Sequence, residues 1–181
     1  MQVQLLEDEH SYDQLLEHRH DVYEYAQLNH LTKNSPIYAS EQTLDRASHI
    51  FCGIKEGEIV ASVRVTQVSQ VDQEFQDRVT SLVPELDLES TFLISRLCVG
   101  TNYQGKMLYK RLLKSICIWS REHQPKEFFI AKCRVSHAAL YRIYGSTIIE
   151  GSLYFDTLAG AEYILLQGNI NHTYNLLTGN K

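Results

Sequence analysis

Two rhythms of apolar and polar residues run along the chain, one with helical spacing and one with strict alternation. Residues 2–6, around VQLL, read as a short first strand. From Asp13 the apolar positions Leu15, Leu16, the stem of Arg19, Val22, Tyr23 and Ala26 recur at helical spacing and predict a helix to about residue 28. Asn29 to Ser40 carries Asn, Ser and Pro and reads as a loop; a short helix over Ser40–Ala47 follows, with Ser40 as its cap. In HIFCGIKEGEIVASVRVT two β-rich runs flank Lys-Glu-Gly-Glu, and Val60, Ser62, Arg64 and Thr66 alternate with their neighbours, which predicts a hairpin. Residues 69–90 are polar and read as a helix plus a surface loop. TFLISRLCV is a strand, and Gln104 to about Glu122 a helix with Leu108, Leu112, Ile116 and Trp119 on one face. EFFIAKC is a buried strand, HAALYRIYG a short helix stopped by glycine, and STIIEGSLYF and AEYILLQ two final strands. Residues 1–168 form one domain on this reading, and residues 169–181 a weakly ordered tail.

The order β, α, α, β, β, irregular, β, α, β, α, β, β predicts an α/β chain. It has a single mixed, mostly antiparallel sheet with helices on both faces. A doubly wound dinucleotide fold is excluded, because the βα alternation starts too late. The 181 residues suffice for a substantial core, and 44% hydrophobic content excludes a disordered chain. A net charge of -5 argues against nucleic acid as the partner. Four scattered cysteines without a Cys-x-x-Cys pair read as reduced, small core residues. MQVQLLEDEH is too acidic for a secretory signal, and no apolar run reaches the ~20 residues of a membrane helix, so a soluble cytoplasmic protein is expected.

Chemistry concentrates in SRLCVGTNYQGKMLYKRLL, residues 95–113. A strand passes through a Gln-Gly-Lys turn into a basic helix. The first helical turn leaves backbone N–H groups unpaired, the helix dipole attracts anions there, and Gly105 lets a phosphate approach the backbone. Lys106 adds a charge-assisted contact. The alternative is an ordinary turn that contains a glycine. Lys106, Lys110, Arg111 and Lys114 form a basic stripe in an acidic chain, either a solvated face or a docking patch for an acidic carrier protein.

This strand, turn and helix, followed by LYRIYG, resemble the GNAT acyltransferase superfamily. Its phosphate loop has the pattern Gln/Arg-x-x-Gly-x-Gly/Ala, and its downstream signature is Leu-Tyr-x-x-x-Gly. Met107 and Tyr109 stand where that loop has small residues, and Ser146 where phenylalanine is common. Arg19 with Tyr23 four residues on, then Asp45, Arg64, and Ser95-Arg96, is similar to the autoinducer-synthase-like branch, which includes N-acyl amino acid synthases. Leu93 occupies the position of that branch's glutamate. A base supplied by that glutamate would have to come from elsewhere here.

The resemblance implies direct aminolysis of a thioester, with no resident cofactor or metal. The donor would be acyl-phosphopantetheine on an acyl carrier protein, or acyl-coenzyme A, and the acceptor a small amine such as an amino acid. Leu97, Cys98, Val99, Gln104, Gly105, Lys106 and Met107 would hold the donor, with backbone N–H groups of Leu97–Val99 receiving the acyl oxygen. Tyr141 would protonate the leaving thiolate, with Ser95 and Arg96 at the reacting centre. Arg19, Tyr23, Asp45 and Arg64 would bind the acceptor, an arginine fork gripping its carboxylate or carbonyl. Against these stand plainer roles: Tyr141 as core, Arg64 and Arg96 as a structural ion network with Asp45 or Glu89, and His137 as a helix cap. An ordinary acetyl-coenzyme A acetyltransferase and a non-catalytic carrier-binding protein are the alternative functions.

Overall fold

A computed structural model of the chain describes residues 2–104, 107–157 and 159–179. Eight strands and six α-helices follow in the order β1 (Gln2–Leu5), α1 (Glu9–Tyr25), α2 (Tyr38–Arg46), β2 (His49–Lys55), β3 (Glu58–Gln67), α3 (Gln73–Leu82), β4 (Thr91–Val99), α4 (Leu108–His123), β5 (Phe128–Arg134), α5 (Ala138–Arg142), β6 (Thr147–Ile148), β7 (Tyr154–Asp156), β8 (Ala161–Asn169) and α6 (Ile170–Thr178). The strands form one sheet in the order β1-β2-β3-β4-β5-β8-β6, with β7 also on β8. β4 and β5 pair parallel, whereas β1–β2, β5–β8, β6–β8 and β7–β8 pair antiparallel. The mixed, mostly antiparallel α/β architecture is therefore as expected. No helix among the described residues is long and apolar enough to cross a membrane.

By compactness the chain divides into two units: Met1–Arg64 with Arg96–Ser115, and Val65–Ser95 with Ile116–Lys181. In the first, α1 starts at Glu9, ahead of its apolar period, because the Asp8 carboxylate accepts from the Ser11 N–H at 2.8 Å. Gln27, with φ +55°, ends it by turning the chain left-handed. Tyr12 and Leu15 of α1 pack on Ile50 and Cys52 of β2 and Ile59 of β3. Each such buried side chain contributes about 1.5–3 kcal/mol. The hairpin between β2 and β3 turns on Glu56 and Gly57, both at positive φ, as a two-residue connection requires. Ser40 does not cap α2; the helix begins at Tyr38, and the Ser40 hydroxyl donates to the Ile37 carbonyl at 2.8 Å.

In the second unit, Thr91–Ile94 pair in register with Phe128–Ala131. One sheet face sends Leu93, Ile130 and Leu165 against Val68, Phe75 and Val79 beneath α3. On the other, Phe92 meets Trp119 of α4 with ring centroids 5.7 Å apart. STIIEGSLYF is two short strands, not one. The Ser152 hydroxyl accepts from the Leu165 N–H and donates to the Leu165 carbonyl, both at 3.1 Å, replacing a backbone ladder at the break. Residues 170–178 are helical where a weakly ordered tail was expected. Asn169 caps α6 by accepting from the His172 N–H at 3.0 Å, and Ile170, Thr173 and Leu177 are buried.

Candidate functional site

Within the first unit, α1 turns Leu16, Arg19, His20 and Tyr23 to one side, a spacing of i, i+3, i+4 and i+7. α2 does the same with Tyr38, Glu41, Gln42 and Asp45. Together with Arg96 these line a small cavity of about 30 Å³, room for about two water-sized groups.

A buried ion network stiffens the cavity wall. Arg19 Nη1 donates to Asp45 Oδ2 at 2.7 Å, and its Nε reaches the Ser62 hydroxyl at 3.4 Å. Arg64 Nη1 meets Asp45 Oδ1 at 3.2 Å and Glu41 Oε2 at 2.7 Å. Arg96 closes on the same Glu41 oxygen at 2.8 Å. Three guanidiniums thus share two carboxylates, leaving one positive charge over. Arg19, Arg64 and Asp45 are each about 95% buried, their relative exposures being 4%, 4% and 5%. An excess buried cation is costly unless something answers it.

Two polar groups in the cavity lack an answer. Arg19 Nη2 is buried without a hydrogen-bond partner, and so is the Tyr23 hydroxyl. The Arg96 guanidinium comes within hydrogen-bonding range of that hydroxyl and Arg19 lies near it, although neither contact has the geometry of a completed hydrogen bond. Burial raises the Tyr23 phenol above its ordinary range, against the pull of the two arginines, so it stays a neutral donor. Burial alone would raise Glu41 as well, but Arg96 and Arg64 outweigh it and hold the carboxyl at about 2. Glu41 is thereby a permanent anion and a poor proton acceptor. Two buried donors beside a surplus positive charge are groups that a carboxylate or a similar small anion can satisfy.

Arg96 itself has a left-handed backbone, φ +54°, in the middle of β4. A non-glycine residue in that region stores strain, which the ion pair to Glu41 helps hold. Of the residues expected at a site, Arg19, Tyr23, Asp45, Arg64 and Arg96 meet in this network. Leu97, Cys98 and Val99 follow Arg96 in the same unit. Burial pushes the Cys98 thiol up to about 12, so no nucleophilic thiolate forms near neutral pH.

Gln104 lies in an exposed turn, and Gly105 and Lys106 lie outside the described residues. The helix expected from Gln104 begins only at Leu108. Met107 precedes it in the left-handed region, φ +60°, and its carbonyl accepts from the Arg111 N–H at 3.3 Å. Ser95 and Tyr141 belong to the second unit, and both are buried. Burial, then the nearby Cys133, raises the Tyr141 phenol well above its ordinary value. Glu89 does not pair with the arginines; it accepts from Gln67 instead. His137 stands at the N-cap of α5 but makes no capping hydrogen bond.

Among the cavity residues that the sequence did not reveal are His20 and Glu41. For Glu41 the usable signal was its one-turn spacing from Asp45 on a short helix. His20 shares the apolar-stemmed face of α1 with Arg19 and Tyr23.

The profile of one family, the N-acyl amino acid synthase FeeM family, matches residues 15–169. No curated protein matches the chain by sequence. Among solved structures, FeeM, an N-acyl amino acid synthase from uncultured soil microbes, superposes with a TM-score of 0.75 at 11% identity, covering 97% of this chain and 99% of its own. The coenzyme A-dependent acyl-homoserine lactone synthase BjaI, solved with MTA, gives 0.76 at 14% identity, over 98% of this chain and 87% of its own. The acyl-homoserine lactone synthase LasI gives 0.73 at 12% identity, over 98% and 94%. These likenesses show a shared GNAT-like fold.

Proposed function

The chain belongs to the N-acyl amino acid synthase FeeM family and is an acyltransferase, and from that premise we propose that it joins an acyl group from a phosphopantetheine thioester to the amine of a small, carboxylate-bearing acceptor of the amino acid class. The observation that carries the acceptor class is the unanswered pair in the cavity, Arg19 Nη2 and the Tyr23 hydroxyl, beside one surplus positive charge. A cavity of about 30 Å³ has room for the two oxygens of a carboxylate. Asp45 and Glu41 hold the three arginines in place, so the fork is built before the acceptor arrives.

In this reading the acceptor amine attacks the thioester carbonyl directly. Backbone N–H groups of Leu97–Val99 receive the developing oxyanion, and the thiolate leaves with a proton from Tyr141, whose raised phenol is protonated at any working pH. The turn between β4 and α4, bounded by Gln104 and Met107, is assigned the pantetheine phosphate by its position in the chain. The buried thiols, Cys98 among them, take no covalent part.

The test offers acyl-coenzyme A or acyl-carrier protein with paired acceptors, each amino acid against its carboxamide, and follows free thiol. Release at least about tenfold slower with the amides than with the acids is expected, since a hydrogen bond to a charged group is worth about 1.5–3 kcal/mol. Tyr23→Phe should raise KM for the acids about tenfold and leave the amides unmoved. Equal use of acids and amides would remove the carboxylate reading; no thiol from any pair would remove acyl transfer to amino acids.

A further inference from the structure

We infer that His20 is the general base that takes the proton from the acceptor amine, with Glu24 as the residue that orients it. The inference rests on the acceptor reading above, because both invoke the same cavity. Its starting point is a gap in the chemistry. An amino acid arrives at neutral pH as an ammonium, which has no lone pair to attack with, so a proton must leave before the C–N bond forms. Leu93 stands where a glutamate could have taken it, and Glu41 and Asp45 are committed to arginines. Glu41, held at about 2, has little affinity for a proton.

His20 meets the geometric requirements. It lines the cavity beside Arg19 and Tyr23, one helical turn apart on α1. Its Nε2 is 3.3 Å from Glu24 Oε1, an i, i+4 pair. A carboxylate only accepts, so in the neutral ring Nε2 carries the proton and Nδ1 carries the lone pair. Nδ1 is shut off from bulk solvent and has no hydrogen-bond partner. A buried acceptor nitrogen without a donor is an unmet demand, and an ammonium is a donor. The ring is 31% exposed and Glu24 63% exposed, so the opposite edge opens to solvent, where a captured proton can depart.

The charged and titratable groups that line the cavity with His20, and its partner Glu24, set its task. From α1 they are Glu24, Arg19 and Tyr23; from α2, Tyr38, Glu41 and Asp45; from the loop before α2, Lys33; from β4, Arg96. The arginines outnumber the carboxylates in the ion network, which disfavours an ammonium in the cavity and favours its loss of a proton. The balance is simple. The ammonium gives one proton to Nδ1; the neutral nitrogen bonds to the carbonyl carbon; the C–S bond breaks with its electron pair on sulfur. The nitrogen sheds a second proton as the amide forms, which balances the one sulfur gains. The imidazolium then loses its Nε2 proton to solvent, and once product has left, proton exchange with water restores the Nε2–H tautomer and the Nδ1 lone pair.

The experiment measures kcat/KM for the wild type, His20→Gln and Glu24→Gln across pH 6–10, with an acceptor amino acid that the wild type turns over. His20→Gln is expected to lose about a hundredfold at pH 7. Its rate should then climb about tenfold per pH unit as the free amine accumulates, so the deficit shrinks toward pH 10. Glu24→Gln should show a smaller loss with the same trend, with thermal midpoints of all three proteins alike. A His20→Gln rate equal to the wild type at pH 7 overturns the inference, and so does a deficit that stays constant across the range, which is the mark of a structural role. A wild type that releases no thiol with any amino acid defeats the acceptor reading instead, so the two failures are distinguishable.

Discussion

At the scale of single residues, Glu41 holds the most consequence per atom. Its one carboxylate oxygen receives both Arg64 and Arg96, at 2.7 Å and 2.8 Å, and so ties α2 to β3 and β4 within the first unit. Its pKa falls from 4.5 to about 2 on folding, with burial opposing and the two arginines prevailing. A depressed folded-state value stabilises the protein fully above about 4.5, and that part of the stability is lost as pH drops toward 2. At ~1.4 kcal/mol per pH unit the difference amounts to about 3 kcal/mol. Glu41→Gln should therefore lower the unfolding free energy by about 3 kcal/mol at pH 7, read by urea denaturation. Near pH 2.5 the wild type and the variant should converge; a gap of the same size at both pH values would mean that Glu41 acts through shape and not through charge. Arg96 would feel the change first, since its left-handed backbone leans on this contact.

At the scale of elements, glycine positions show where strands were fitted to their neighbours. Gly168 of β8 sits in register with Phe129 of β5, and a Cβ there would meet the Phe129 ring at 2.2 Å. The ring lies where a side chain would have been, so β8 has room for only a hydrogen. Gly168→Ala is expected to destabilise the second unit by about 1–3 kcal/mol. The same substitution in a Phe129→Leu background should cost less, because the obstructing ring is gone; equal costs in a double-mutant cycle by chemical denaturation would refute the contact as the cause.

The same scale explains what could be read from sequence. The β2–β3 hairpin was legible because Lys-Glu-Gly-Glu is turn chemistry between alternating runs. The face of α1 was legible because Arg19 and Tyr23 share the period of Leu15 and Leu16. The start of α1 was missed because its first turn, after the Asp8 cap, is polar and carries no period. α6 was missed although Ile170, Thr173 and Leu177 follow helical spacing, because Gly168 and Asn169 read as punctuation and not as a strand end plus cap. The cavity was half legible. Residues on one element reveal a shared face, but Glu41 meets Arg96 across 55 positions, and only folding makes that spacing meaningful.

For the whole molecule, a net charge of -5 decides which donor needs help to arrive. Coenzyme A and an acidic carrier protein both present a phosphopantetheine arm, but a carrier also brings an acidic surface that a chain of this charge repels at distance. A basic stripe on α4, with Lys110 and Lys114 one turn apart and Lys114 exposed, offsets that repulsion locally. That local charge makes acyl-carrier protein the donor to test against acyl-coenzyme A. Complementary charge acts mainly on the rate of encounter. Lys110→Glu with Lys114→Glu should therefore lower kcat/KM for acyl-carrier protein by about tenfold or more at low salt, chiefly through KM. The deficit should fade as ionic strength shortens the Debye length to about 8 Å near 0.15 M. Acyl-coenzyme A, which brings no acidic protein surface, should serve both proteins nearly equally. An identical loss with both donors would place these lysines at the phosphate and not at a carrier, and no loss with either would leave coenzyme A as the donor to which this chain is fitted.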